Sequence, residues 1–271
     1  KVAHSLQVVW VWDNVEVAAG MPDSPMQAQL NQADRACLGQ LLASFAGGRS
    51  RVLVTSRGQE DWLGGPEVVR ALTLGGLQGE ERWDYAEAVL KACGVDAPGK
   101  DEGFQPLLEW LGGHPLMMRA VLPQLANQSP ASVLSQLKKG VVSGSPSLVD
   151  KLNTTLELVE QALSEELREL LIPLSLHTQY VGLPLLEAMG AQVKGDWPRK
   201  QWLDFLRSLE RAGLVWSPGC NAEVWGLHPA LSTYLQKVTR DAEQQVRETW
   251  ERAFTDTMGR LADTFAPRPV F

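Results

Sequence analysis

The chain has 271 residues, 44% of them hydrophobic and 21% charged, a balance that can bury one large core or two to three small ones and that excludes a disordered or fibrous protein. Lys plus Arg total 25 against 32 for Asp plus Glu, a formal charge of -7, which argues against a dedicated binder of nucleic acid or of an anionic membrane. Cys37, Cys93 and Cys220 lie far apart and form no C-x-x-C pair, so neither a disulfide framework nor a zinc site is encoded, and no apolar run reaches the roughly 18 residues that span a bilayer.

A reducing cytosol fits this cysteine usage, and the cytoplasm is the expected location. The first residue is Lys1 rather than Met, so the start is expected to be internal to a longer protein. Ten tryptophans fall mostly at helix or strand spacing and are expected in cores.

Val8-Val9-Trp10-Val11-Trp12 is a continuous apolar run that stops at Asp13-Asn14, the pattern of a parallel strand buried on both faces. From Pro25 to Phe45, Leu30, Ala33, Cys37, Leu38, Leu41, Leu42 and Phe45 recur at helical spacing until Gly47-Gly48 ends the pattern. Arg51 to Thr55 repeats the buried-strand pattern and leads into Ser56-Arg57-Gly58. Strand, helix and strand make a right-handed crossover, which puts Asp13 and Arg57 at the carboxyl ends of the strands, where open α/β sheets bind ligands. An acid and a cation at one edge suit a metal-bound phosphate; the same residues also suit plain polar positions after strands.

Leu72-Thr73-Leu74 is a short third strand candidate, and helices follow over Glu80 to Cys93, Phe104 to Leu111 and Leu116 to Leu125. Gly112-Gly113 ends the second of these, and Pro115 suits the first turn of the next because its missing N–H would lack a partner there. Gly140 to Ser147 reads as a linker. Beyond it, helical stripes cover Leu148 to Leu163, Glu165 to Leu176, Leu183 to Met189 and Arg199 to Ala212. A hairpin follows, built from Leu214-Val215-Trp216, a turn at Ser217 to Asn221, and Glu223 to Leu227. Helices followed by a hairpin make a winged helix. Arg199, Lys200, Arg207 and Arg211 on its third helix are interrupted by Asp204 and Glu210, so DNA is not the expected partner. Thr239 to Phe265 is expected to be one long helix with Val246, Trp250, Phe254, Met258 and Leu261 in a stripe that packs on something downstream.

In order and spacing these pieces resemble the STAND class of signal-transduction ATPases, the NB-ARC-like regulatory NTPases. VVWVWDNVE, Val8 to Glu16, looks like the Walker B strand, and RVLVTSR, Arg51 to Arg57, like the sensor-1 strand ending in arginine. Gly112-Gly113-His114-Pro115-Leu116 is similar to the G-x-P turn, and Leu227-His228-Pro229 to the histidine that touches the ADP phosphate. The implied fold is α/β plus all-α. It comprises a partial P-loop NTPase sheet over 1–75, a small helical domain with linker over 76–147, a winged helix over 148–238 and the start of a helical or repeat region over 239–271.

By this resemblance Asp13 would hold Mg2+ through water, Arg57 would sense the terminal phosphate, Pro115 would contact adenine and His228 the ADP state. Asn14 stands where many relatives carry a second acid, leaving Glu16 as the substitute for the catalytic base. On the residues alone, Pro115 also suits a plain helix start and His228 a hairpin end satisfied by backbone groups. No G-x-x-x-x-G-K-[ST] occurs; Gly99-Lys100-Asp101 lacks both the earlier glycine and the hydroxyl residue.

The resemblance therefore implies a piece of a slow ATPase, an ATP/ADP switch closed with ADP and opened by a signal. Its cofactors, ATP/ADP and Mg2+, belong to the full-length parent and are not held tightly by this piece. Its partners are the nucleotide, an upstream P-loop segment, downstream sensor repeats and other proteins, with no membrane. The competing expectation is a winged-helix interaction scaffold or transcription regulator that turns over no nucleotide.

Overall fold

The structure is a computed structural model and describes residues 7–20, 28–58, 60–96, 103–141, 146–195, 197–219 and 223–265. The chain divides into two compact units, Lys1–Leu74 and Gly75–Phe271.

The first unit holds β1 (Val9–Trp12), α1 (Glu16–Ala19), α2 (Gln32–Ala43), β2 (Arg51–Val54) and a 3-10 turn at Asp61–Leu63. The strands pair in parallel, Val9 opposite Arg51 and Trp12 opposite Val54. Alternation along each strand gives the sheet two unlike faces. On one, Trp12, Val52 and Val54 pack around Val15, Leu42 and Leu63, and Trp10 meets Phe45 edge-on at 6.1 Å. On the other, Val9, Val11 and Leu53 are exposed. Burial on both faces, expected from the unbroken apolar runs, is therefore not what forms: one layer of helix covers one side of two strands. Helix α2 begins at Gln32 rather than near Pro25, because Asn31 caps it by accepting from the Asp34 N–H at 2.9 Å; residues 21–27 lie outside the described residues. The strand expected at Leu72-Thr73-Leu74 does not form, and both leucines are exposed. A strand needs a ladder partner, and among the described residues these three have none.

The second unit opens with α3 (Gly79–Ala92), α4 (Phe104–Leu111), α5 (Pro115–Val121) with a 3-10 extension at Leu122–Ala126, and α6 (Pro130–Lys139). Leu90, Phe104, Leu108, Met117 and Val133 belong to their common core. Helix α7 (Leu148–Ala162) starts at a capping box in which Ser147 and Asp150 satisfy each other's backbone N–H groups. It sends Leu158 into this core and Leu156 and Val159 into the next. Residues 142–145 of the expected linker lie outside the described residues, but the elements on its two sides pack together. A Cβ on Gly140 would lie 2.6 Å from the Thr154 methyl.

The larger core gathers α8 (Glu165–Arg168), α9 (Leu171–Ser175), β3 (Tyr180–Gly182), α10 (Leu183–Val193), α11 (Arg199–Arg211), β4 (Val215–Trp216), β5 (Val224–Leu227) and α12 (Pro229–Asp241). The strands form an antiparallel sheet in the order β3-β5-β4. The hairpin expected from the sequence is β4 and β5, with turn residues 220–222 outside the described residues. β3, a three-residue Tyr-Val-Gly segment, is too short to show a periodic signal. The single helix expected over Glu165 to Leu176 is two, because Pro173 cannot donate a backbone hydrogen bond back across Glu169 and Leu170.

The long terminal helix also needs correction. Thr239 belongs to α12, Ala242 is extended, and α13 runs from Gln244 to Phe265. It packs against α9 and α10 of its own unit, with Trp250 and Ala253 buried, rather than awaiting a downstream partner. Trp250 stands edge-on to Trp202 at 6.5 Å and to Trp197 at 6.1 Å. The stripe's ends, Val246 and Leu261, remain exposed. Of the tryptophans expected in cores, Trp202, Trp225 and Trp250 are buried, whereas Trp10 and Trp216 are exposed.

Candidate functional site

The carboxyl edge of the parallel pair is held by its own backbone. Beyond the ladder, the Thr55 N–H donates to Trp12 O at 2.9 Å, and the Val15 N–H donates to Thr55 O at 3.0 Å. Between them Asn14 takes a left-handed conformation with φ 58°, which its short polar side chain tolerates. Its N–H donates to Thr55 Oγ1 at 3.0 Å, and its side-chain amide donates to Asp13 Oδ2 at 3.4 Å. The Thr55 hydroxyl in turn donates to Asp13 Oδ1. Asp13 thus projects an exposed carboxylate held from both sides by neutral donors.

Glu16 and Arg57 meet at the same edge. The turn at Asn14 leads into α1, whose first residue, Glu16, has a side chain only 1% exposed. Arg57 Nε donates to Glu16 Oε1 at 2.6 Å, and the arginine side chain is 39% exposed. The second carboxylate oxygen of Glu16 is buried without a hydrogen-bond partner. Around Arg57 the loop is fixed: Ser56 Oγ donates to Glu60 Oε1 at 2.6 Å, the Gly58 N–H donates to Ser56 Oγ at 3.1 Å, and the Trp62 indole donates to Glu60 Oε2. Three residues expected from the sequence, Asp13, Glu16 and Arg57, are therefore brought together. Thr55, which holds Asp13, was read only as the end of a strand; its place at the same edge as Asp13 was the available signal.

Pro115 and His228 lie in the second unit. Gly112 and Gly113 both take left-handed backbone, φ 61° and 68°, so that Leu77 can pass against them, its N–H donating to Gly113 O at 2.9 Å. A Cβ on Gly113 would lie 1.9 Å from Leu77 O. Pro115 then occupies the first turn of α5, capped by His114, whose Nδ1 accepts from the Met117 N–H at 3.5 Å. Burial of the His114 ring lowers its pKa from the ordinary histidine value. His228 caps α12 in the same manner, Nδ1 accepting from the Ala230 N–H at 3.1 Å, while its own N–H donates to Leu214 O at 2.9 Å. The side chain of Arg119, one turn beyond Pro115, lies against Gly213 and donates to Glu210 O at 3.2 Å. Helix α5 and the start of α12 are thus linked through Gly213 and Leu214.

The donors at the sheet edge suit a magnesium-bound phosphate in kind. Mg2+ takes oxygen ligands and is commonly bound by one or two carboxylates together with substrate phosphates, and Asp13 keeps acceptor capacity beyond its two neutral donors. Among the described residues no cluster of three or more His, Cys, Asp or Glu could cage a metal unaided. Arg57 uses only Nε on Glu16 among the described residues, and a guanidinium carries five N–H donors.

No protein-family model matches the chain, and no curated protein matches it. Among solved structures it is similar to the crystal structure of a Signal Transduction ATPase with Numerous Domains (STAND) protein with a tetratricopeptide repeat sensor from Pyrococcus horikoshii, with a TM-score of 0.51 and 17% identity. The match covers 98% of this chain and 44% of that one, so the chain spans less than half of that protein's length. At this identity the likeness is one of fold, and it runs through both units. No helix among the described residues is long and apolar enough to cross a membrane.

Proposed function

We propose that this chain is the regulatory part of a STAND-type ATP/ADP switch, running from the Walker B strand through a winged helix at residues 148–238. The observation that carries the reading is the convergence of Asp13 and Arg57 at the carboxyl edge of one parallel pair. The fold likeness to a STAND protein supports it. The open face of Val9, Val11 and Leu53 supports it as well, since parallel sheets are nearly always covered on both sides and a longer nucleotide domain would supply the second layer.

In this reading Mg2+ and ATP or ADP supply the phosphate charge that the switch detects. Asp13, aimed by Thr55 and Asn14, would hold Mg2+ through water. Arg57 meets a phosphate oxygen, and Glu16, expected as a substitute base, acts on Arg57 instead because its carboxylate is shut away from water. Pro115 offers its ring to adenine. His228, held at Nδ1 by the Ala230 N–H, would meet an ADP phosphate. The switch operates in the cytoplasm, with downstream sensor repeats and other proteins as partners. In the natural full-length protein, Asp13→Ala should reduce Mg2+-dependent hydrolysis while leaving circular dichroism and the unfolding midpoint near wild type. Hydrolysis unaffected by this change would overturn the reading.

One observation favours the competing role of an interaction scaffold without turnover. Tyr180, Trp216 and Val224 form an exposed apolar outer face on the three-stranded sheet. DNA is not favoured on that side, since Arg199 is engaged by Glu187 at 3.0 Å and by Glu223. Fluorescence anisotropy with a labelled duplex at low salt should show no micromolar, salt-sensitive binding.

A further inference from the structure

We propose that Glu16 is the positioning residue of Arg57: it fixes the arginine through Nε so that the outer guanidinium nitrogens are held ready for a phosphate oxygen. This rests on the reading of Arg57 as the phosphate-sensing cation and adds to it the device that aims that cation.

Three features of the pair carry the proposal. The contact is short, 2.6 Å, and made by Nε alone, which leaves the forked Nη side unused by Glu16. Exposure is sharply divided, with Glu16 at 1% and Arg57 at 39%, so the acid is anchored inside the unit and the arginine reaches outward from it. Finally, Glu16 Oε2 has no hydrogen-bond partner, so among the described residues Arg57 is the only cation that compensates this buried carboxylate.

A buried charge that loses its partner is strongly unfavourable, which means Arg57 cannot swing away from Glu16 to follow a ligand. It has to receive the ligand where it stands. Holding a long, rotamer-rich side chain in one orientation before binding removes much of the ordering cost of binding. The loop around the arginine is built to the same end, with Ser56, Gly58 and Trp62 tied to one another through Glu60. Neutral partners would not serve as well, because a charge-assisted bond is shorter and stronger than a neutral one.

The test uses the 271-residue chain labelled with 15N-arginine and titrated with inorganic phosphate in the presence of Mg2+. Arg57 Nε–H, assigned by its loss in Arg57→Lys, should resonate downfield and exchange slowly before and after phosphate is added. Glu16→Gln should abolish that signature, keep the wild-type circular dichroism and weaken phosphate binding at least fivefold. Should Glu16→Gln fold poorly, Glu16→Asp, which keeps the charge but shortens the reach, should show the same weakening. Unchanged or tighter binding in the folded Glu16 variant, with Arg57→Lys still weakened, overturns the positioning role alone. Phosphate binding equal to wild type in Arg57→Lys, or none in wild type, overturns the phosphate role of Arg57 itself.

Discussion

His114 and His228 meet one local requirement in two places. Each stands before a proline and caps the helix that the proline begins, with Nδ1 accepting a backbone N–H. The cap holds each ring in one direction over the first turn of its helix. A hydrogen bond to a charged group contributes about 1.5–3 kcal/mol, so His228→Ala should speed ADP release from the full-length protein roughly tenfold or more, measured by stopped-flow with a fluorescent ADP. An unchanged rate would leave His228 as a cap only. His177 is a different case. Its ring is buried against Phe254 at 5.3 Å, Nε2 has no partner, and burial holds its pKa down at about 4. The unfolded state binds more protons than the folded one between about 4 and 6.5, so this contribution to stability is present above pH 6.5 and is lost as pH falls toward 4. Between pH 6.5 and 5 the loss is about 1.5 kcal/mol. Urea unfolding of wild type and His177→Leu at both pH values should show the drop in wild type and a smaller one in the variant. None of this was legible in the sequence, because burial of a loop histidine depends on α13, whose docking no periodic pattern reveals.

At the scale of elements, close approach decides more than propensity does. Gly113 admits Leu77 at a distance that no side chain permits, so Gly113→Ala should destabilise the second unit by at least about 2 kcal/mol, read from its urea midpoint. The turn itself was readable, since two glycines followed by His-Pro mark a helix end and a helix start. The segment that passes against it was not, because Gly76-Leu77 carries no pattern of its own. The parallel pair was legible from two apolar runs flanking a helical stripe, and so was the placing of Asp13 and Arg57 at one edge. Burial was overread there: a continuous apolar run reports what a finished sheet will cover, and this unit covers one side. The docking of α13 was misjudged for the opposite reason. Its stripe signals burial without naming the partner, and the partner is the Trp197 and Trp202 pair close by in the same unit. Trp250→Ala should therefore raise amide exchange across residues 244–265 well above that of α7, and equal protection of the two helices would contradict this.

For the whole molecule, the two units divide the proposed nucleotide contacts. Asp13, Glu16 and Arg57 belong to the first, Pro115 and His228 to the second. A nucleotide can control a switch only by its differential affinity for the closed and open states. The sequence supplies no phosphate-cradling loop, whose backbone N–H groups and lysine carry much of the affinity in P-loop proteins. The 271-residue chain should accordingly show no measurable ATPase activity, and turnover that disappears in Asp13→Ala would contradict that expectation. The central claim is that nucleotide holds the parent protein closed. The most direct measurement is the amount of nucleotide retained by the natural full-length protein after gel filtration, quantified by chromatography of the denatured sample. Bound ADP approaching one per chain, much reduced in Asp13→Ala and in His228→Ala, is the predicted result; full-length wild-type protein that retains no nucleotide and binds none when supplied with Mg2+ and ADP would contradict the account.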